Sequence, residues 1–79
     1  MEKNVEEFVI NILKSISYID KINKNDKLSL LNLEDIDFTE IAIECEEEFE
    51  VVLDELHMEK LETVNDLINY IDNEYKFKE

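Results

Sequence analysis

Apolar and polar positions alternate along this chain in blocks, and the blocks differ in period. Val5, Phe8, Val9, Ile12, Leu13 and Ile16 follow the i, i+3, i+4, i+7 spacing of an amphipathic helix, which predicts a helix from about Glu2 to Ser17. From Tyr18 to Leu33 the period is lost. Asn, Asp and Lys dominate residues 20–27, as turns prefer. Leu28, Leu30, Leu31 and Leu33 follow, and a loop this long must be pinned to a core by such leucines. Acids then crowd Glu34, Asp35 and Asp37, as a helix N-terminus favours. A helix is predicted from there to about Phe49, with Phe38, Ile41, Ala42, Cys45 and Phe49 on one face. Ile36 and Ile43 fall off that stripe, seven residues apart, and are expected to be partly exposed.

Val51-Val52-Leu53 reads as a connection, and Asp54 as the N-cap of a short helix ending near Lys60. Thr63 caps a last helix with Asp66 at its third position, a capping-box arrangement. Val64, Leu67, Ile68 and Ile71 supply its apolar face, and Tyr70 and Tyr75 are placed at its rim. Residues 76–79 are expected to fray. The pattern is long helix, long loop, helix, short helix, helix, in one all-α domain spanning residues 1–79.

Composition narrows the function. The 79 residues include 22 acids, 8 lysines and no arginine, for a formal charge of −14. Such a field repels phosphate and anionic lipid, so nucleic-acid and membrane-surface binding are excluded as general roles and basic partners are favoured. Glycine and proline are both absent, which removes phosphate-cradling loops and makes an all-β fold hard to write. One cysteine and one histidine cannot form a disulfide framework or a structural zinc cluster. No apolar run approaches the roughly 20 residues of a membrane span, and the acidic N-terminus is unlike a signal peptide. A soluble, cytoplasmic monomer is expected.

Candidate chemistry is sparse. His57 reads as a solvated surface residue and Cys45 as a small core filler, so no nucleophile–base pair is expected and no enzymatic activity. Glu46-Glu47-Glu48 reads as a solvated face. Oxygen ligands near Glu34, Asp35 and Asp37 lack the EF-hand spacing and glycine, so no functional metal site is assigned. What remains is an acidic helix surface carrying two isoleucines, suited to docking on basic, partly apolar patches.

The stretch Leu31-Asn32-Leu33-Glu34-Asp35-Ile36-Asp37-Phe38-Thr39-Glu40-Ile41, followed by Glu46-Glu47-Glu48-Phe49, resembles the signature of acyl carrier proteins. That family writes Leu-Gly-x-Asp-Ser-Leu-Asp at the start of its second helix and an acidic Glu-Glu-Glu-Phe near its end. The similarity continues through Leu53, Glu59-Lys60-Leu61, Thr63-Val64 and Tyr70-Ile71 and covers nearly the whole chain. It implies a four-helix bundle with a long first loop and a short third helix. It also implies carrier-dependent synthases or transferases of fatty acid or polyketide-type synthesis as partners.

The departures are specific. Asp35 stands at the position of the serine that receives 4′-phosphopantetheine, Asn32 at the usual glycine, and Asp54 where many members have proline. A serine hydroxyl gives a stable phosphodiester, whereas a carboxylate would give a labile acyl phosphate. Loss of the arm is therefore expected, with no cofactor carried. Neither Ser29 nor Thr39 lies in the motif register to replace it. The family's docking surface maps onto Glu34, Ile36, Asp37, Glu40, Ile43, Glu46 and Glu47, whose chemistry is retained. Three functions stay open at this point: an arm-less docking protein, a genuine acyl or peptidyl carrier seen as a Ser→Asp variant, and an acidic inhibitor or immunity-type protein. Family members also close a cavity around an acyl chain, which Phe8, Ile12, Phe38, Ile41, Ile68 and Ile71 could line here; an ordinary filled core is the favoured reading.

Overall fold

Asn4 opens the first helix: its Oδ1 accepts from the Glu7 backbone N–H at 2.9 Å. In the computed structural model, which describes residues 4–78, this helix is α1, Val5–Ser17. Glu2 and Lys3, expected within it, lie outside the described residues. Val5, Val9 and Leu13 bury its inner stripe, with Phe8, Ile12 and Ile16 packed beside them. α2 spans Asp35–Phe49, α3 Glu55–Lys60 and α4 Val64–Lys78. α1 packs on α4 and α2, and α2 also meets α4. The result is the all-α bundle that the periodicity implies. Among the described residues β pairing is confined to one isolated antiparallel bridge, Lys27 to Thr63.

Two local expectations are corrected. The leucine-rich end of the long loop forms a 3-10 turn, Leu28–Leu31, in which Leu28 and Leu31 are buried but Leu30 is exposed. Three residues per turn put only every third side chain on the core, so not every leucine can act as a pin. The expected fraying at residues 76–78 is also absent, since α4 stays helical through Lys78. An ion pair from Lys76 to Asp72, one turn back, supports that end at 3.1 Å. Glu79 lies outside the described residues.

The loop is held by backbone hydrogen bonds as well as by the buried side chains of Ile22, Leu28 and Leu31. Val64 N–H donates to the Asp26 carbonyl at 2.9 Å and Asn65 N–H to the Lys24 carbonyl at 2.8 Å. Asp66 N–H donates to Thr63 Oγ1 at 3.1 Å and Leu67 N–H to the Thr63 carbonyl at 3.3 Å. Of the donors that a helix start leaves unsatisfied, those of Val64 and Asn65 are thereby met by the loop and that of Asp66 by Thr63 Oγ1, while the Leu67 bond is the first of the helix itself. Leu28 N–H returns a bond to the Glu62 carbonyl at 2.8 Å, so the junction is tied in both directions. Asp66 Oδ2 closes the capping box by accepting from Thr63 N–H at 3.1 Å and from Glu62 N–H at 3.2 Å.

The core is one cluster drawn from α1, the loop, α2, the α2–α3 connection and α4. No buried polar residue interrupts it among the described residues. Phe49 is its hub, with its ring edge-on to Phe8 at 5.0 Å and to Tyr75 at 5.2 Å. One aromatic trio thus joins three helices, and each such pair adds about 0.5–1.5 kcal/mol beyond area burial.

A chain without glycine must still turn. Tyr18, Asn32 and Glu50 take left-handed backbone, with φ of 61°, 57° and 58°. Asn32 suits this conformation, but Tyr18 and Glu50 bear a steric cost of about 1 kcal/mol each. Glu50→Gly is therefore expected to raise the unfolding free energy by about 0.5–1 kcal/mol, less the extra freedom glycine gives the unfolded chain. A urea midpoint that falls would contradict that strain.

The hydrogen bonds from Thr63 N–H and then Glu62 N–H hold the Asp66 carboxyl below its ordinary value of 3.8. A folded-state value below the unfolded one contributes stability above the unfolded value, and that contribution is lost as pH falls through the folded value. Asp66→Asn is expected to lower the urea midpoint at neutral pH, with the gap to wild type closing below about pH 4. The same gap at pH 7 and pH 3 would exclude this capping carboxylate as the cause.

Candidate functional site

Residues 33–60 place the candidate surface. Asn32 turns the chain out of the 3-10 helix, half-buried Leu33 anchors it, and Glu34 enters α2 in extended conformation as N-cap. Asp37 Oδ2 accepts from the Glu34 N–H at 2.8 Å, fixing the first turn. Asp35 is the first residue of α2 and is exposed. The nearest hydroxyl in its own turn belongs to Thr39, whose Oγ1 donates back to the Asp35 carbonyl at 3.2 Å.

The structure brings the sequence-derived docking residues to one exposed helix. Ile41, Cys45 and Phe49 are buried, while Glu34, Glu40, Glu46 and Glu47 are exposed and Asp37 is half-buried. Ile36 is 70% exposed and Ile43 49%, as their off-stripe positions imply. α2 carries seven carboxylates and no lysine. Lys24 pairs with Glu6, His57 with Asp54 and Lys76 with Asp72, and among the described residues none of the candidate residues Glu34, Asp37, Glu40, Glu46 and Glu47 takes part in an ion pair.

That charge is badly placed for α2 itself. Glu46 and Glu47 lie in the last turn, beside the negative end of the helix dipole, and no basic residue sits there. Glu40 and Glu44 repel one turn apart. Each exposed mismatch costs on the order of 0.3 kcal/mol.

The remaining candidate residues are structural. Cys45 is fully buried, and burial and then the charge of Glu44 push its thiol up to about 12, so it stays protonated and unreactive. His57 is exposed, as expected of a surface histidine. Its Nδ1 lies 2.7 Å from Asp54 Oδ1, which also accepts from the His57 backbone N–H at 2.9 Å. Its ring rests on Tyr70 at 5.1 Å, and Tyr70 Oη donates to the Val52 carbonyl at 3.3 Å. The pair hangs the short α3 on α4. The backbone N–H of His57 is the main reason the Asp54 carboxyl lies below its ordinary range. Asp54, at the family's proline position, thus acts as the N-cap of α3.

Beside α2 opens a cleft that the sequence pattern does not reveal. It lies between α2 and α3, has a volume of about 570 Å³ and reaches Asp35. Phe38, Ala42, Leu53 and Met58 form its inner wall, and Asp35, Thr39, Asp54 and Glu59 its exposed rim. Of the six residues that could have lined a cavity, Phe38 is the one on the wall of this cleft. Ile41, Ile68 and Ile71 are filled core, and Phe8 and Ile12 pack against it. The available signal was Thr39 and Ala42, two small side chains one turn apart facing a helix too short to cover them.

Two comparisons bear on this arrangement. The pattern that defines the phosphopantetheine attachment site family matches residues 7–71. The acyl carrier protein of Buchnera aphidicola subsp. Schizaphis graminum (strain Sg) is 32% identical over 76 residues, covering 96% of this chain and 95% of that protein.

The charge mismatch in α2 generates a prediction. Glu47→Lys is expected to raise the urea midpoint by the equivalent of about 0.5–1 kcal/mol at low salt, with the gain shrinking as salt rises. A loss of stability would mean that Glu47 is placed for the fold and not against it.

Proposed function

The chain belongs to the phosphopantetheine attachment family, and from that premise we propose that it is an acyl-carrier-like docking protein without an arm of its own. It presents the acidic, isoleucine-bearing face of α2 to basic, partly apolar patches on carrier-dependent enzymes. The observation that carries this reading is the retention of Glu40, Ile43, Glu46 and Glu47 as an exposed, unneutralised surface on a helix they destabilise. Solubility alone would be served equally by acids at the helix start, where the dipole favours them. Local rules are typically broken where function demands it.

The arm does not fit the residues present. By resemblance it is held through a phosphodiester on a serine hydroxyl, and the first residue of α2 offers a carboxylate instead. A carboxylate attacking phosphorus would form an acyl phosphate that water cleaves. The Thr39 hydroxyl is committed to the Asp35 carbonyl, and Ser29 lies in the 3-10 turn six residues upstream. The protein therefore meets carrier partners with nothing to hand over, acting as an adaptor or a competitor. Long-range attraction speeds that encounter and weakens as salt rises.

Intact mass after incubation with coenzyme A and a permissive phosphopantetheinyl transferase tests both halves of the reading. The natural chain should gain nothing, and Asp35→Ser should gain one phosphopantetheine. In the Asp35→Ser background, Glu40→Lys with Glu47→Lys should slow loading about tenfold through lost docking charge, while Glu7→Lys on α1 should not. A gain of mass by the natural chain overturns the arm-less reading. Equal slowing at all sites reduces the surface to bulk charge. No loading of Asp35→Ser means that α2 no longer meets carrier enzymes.

A further inference from the structure

The charge of this chain is unevenly divided. Residues 1–33 carry five lysines and five acids, whereas residues 34–79 carry three lysines and 17 acids, so the whole of the −14 arises in the second part. Where α1 passes into the long loop the sign reverses, and residues 14–27 hold four lysines against two acids. Lys14 and Lys21 are exposed and take part in no ion pair among the described residues. Between them stands Tyr18, 90% exposed and in left-handed backbone with φ of 61°, where a bulky side chain is an outlier. That conformation is locked from both sides. Tyr18 N–H donates to the Lys14 carbonyl at 3.0 Å. Ser17 Oγ donates to the Leu13 carbonyl at 2.6 Å and accepts from the Ile19 N–H at 3.2 Å. Ile16 and Ile19 pack against the core, which leaves Tyr18 outside. Strain held in place at an aromatic that the fold does not bury marks a functional position, and tyrosine is a common anchor of interfaces.

We propose that Tyr18, flanked by Lys14 and Lys21, is a second interaction surface that takes a short acidic segment of a partner protein, with an apolar side chain of the segment on the Tyr18 ring and carboxylates on the two lysines. Charge complementarity selects the occupant. At about 0.15 M salt, exposed charges more than about 8 Å apart are largely screened, so a short segment at Tyr18 meets the lysines beside it along the chain. A nucleic acid or an anionic lipid surface extends past the patch and meets the acids of residues 34–79. The consequence rests on the docking reading of α2: two surfaces of opposite sign make the protein a bridge between a basic enzyme and an acidic segment, and not a competitor alone.

The test titrates the natural chain at 0.15 M salt with the peptide acetyl-Asp-Glu-Leu-Leu-Glu-Asp-amide, following backbone NMR signals. Saturable shifts should concentrate at residues 14–21. The amide analogue acetyl-Asn-Gln-Leu-Leu-Gln-Asn-amide and the polar analogue acetyl-Asp-Glu-Ser-Ser-Glu-Asp-amide should each bind more weakly. Tyr18→Gly should weaken binding about fivefold or more while its urea midpoint does not fall, because glycine takes left-handed backbone without strain. Lys14→Gln with Lys21→Gln should weaken it about fivefold, the effect of two exposed charge pairs. Lys60→Gln with Lys76→Gln removes the same charge elsewhere and should leave affinity unchanged. Shifts centred outside residues 14–21, equal binding of either analogue, equal weakening by both lysine pairs, affinity that rises from 0.15 to 1 M salt, or no saturable shifts would each overturn the proposal. Phosphopantetheine loading of the Asp35→Ser chain keeps the two readings apart. Peptide binding without loading overturns the docking reading alone, loading without peptide binding overturns this one alone, and loading slowed by the peptide means that the surfaces coincide and overturns the bridge.

Discussion

The fold depends on the exchange of backbone hydrogen bonds between the long loop and the start of α4. Lys24 and Asp26 offer carbonyls to Asn65 and Val64, and Leu28 donates back to Glu62. These bonds satisfy groups that would otherwise be left at a partly buried helix end, where an unmade bond costs more than a made one gains. They also carry Ile22, Leu28 and Leu31 into the core. Leu31 in turn sets where Asn32 reverses the chain, and so where α2 begins. The position of Asp35 is thus tied to contacts with residues 62–65, about thirty residues further along the chain.

Within that frame the molecule separates two tasks. Apolar burial holds the bundle together, centred on Phe49 and its two ring partners. The acids weaken the bundle, since α2 carries seven carboxylates and no lysine and three of the carboxylates lie in the turn at its negative end. A short, well-sealed core tolerates this because its own interior carries no polar defect among the described residues. The surface that is least favourable for folding is the one proposed to meet a basic partner.

The absence of glycine shows how sequence and backbone are reconciled. Position 32 needs left-handed backbone, and asparagine is the residue that replaces glycine there with least strain. Tyr18 and Glu50 meet the same demand less well, and there the end-of-helix bonds to Lys14 and Glu46 hold the conformation in place. Asp54 replaces the proline of many relatives and starts α3 by hydrogen bonding instead of by a fixed φ. The departures at Asn32 and Asp54 are therefore structurally accommodated.

Much of this was legible in the sequence. Periodicity located α1, α2 and α4, and side-chain chemistry identified Asp54 and the Thr63–Asp66 box as helix starts. Spacing alone put Ile36 and Ile43 outside and Cys45 inside. These are local properties, set by 3.6 residues per turn and by which side chains can reach a backbone N–H a few positions away. The 3-10 turn, the tie between the loop and α4, the Tyr75–Phe49 contact and the cleft beside Asp35 were decided only by the tertiary structure. Backbone donors and acceptors are the same at every residue, so their pairing across the chain leaves no mark in the sequence. A cleft is likewise the space left when helices of given length cross at given angles, and those angles are a property of the packed whole.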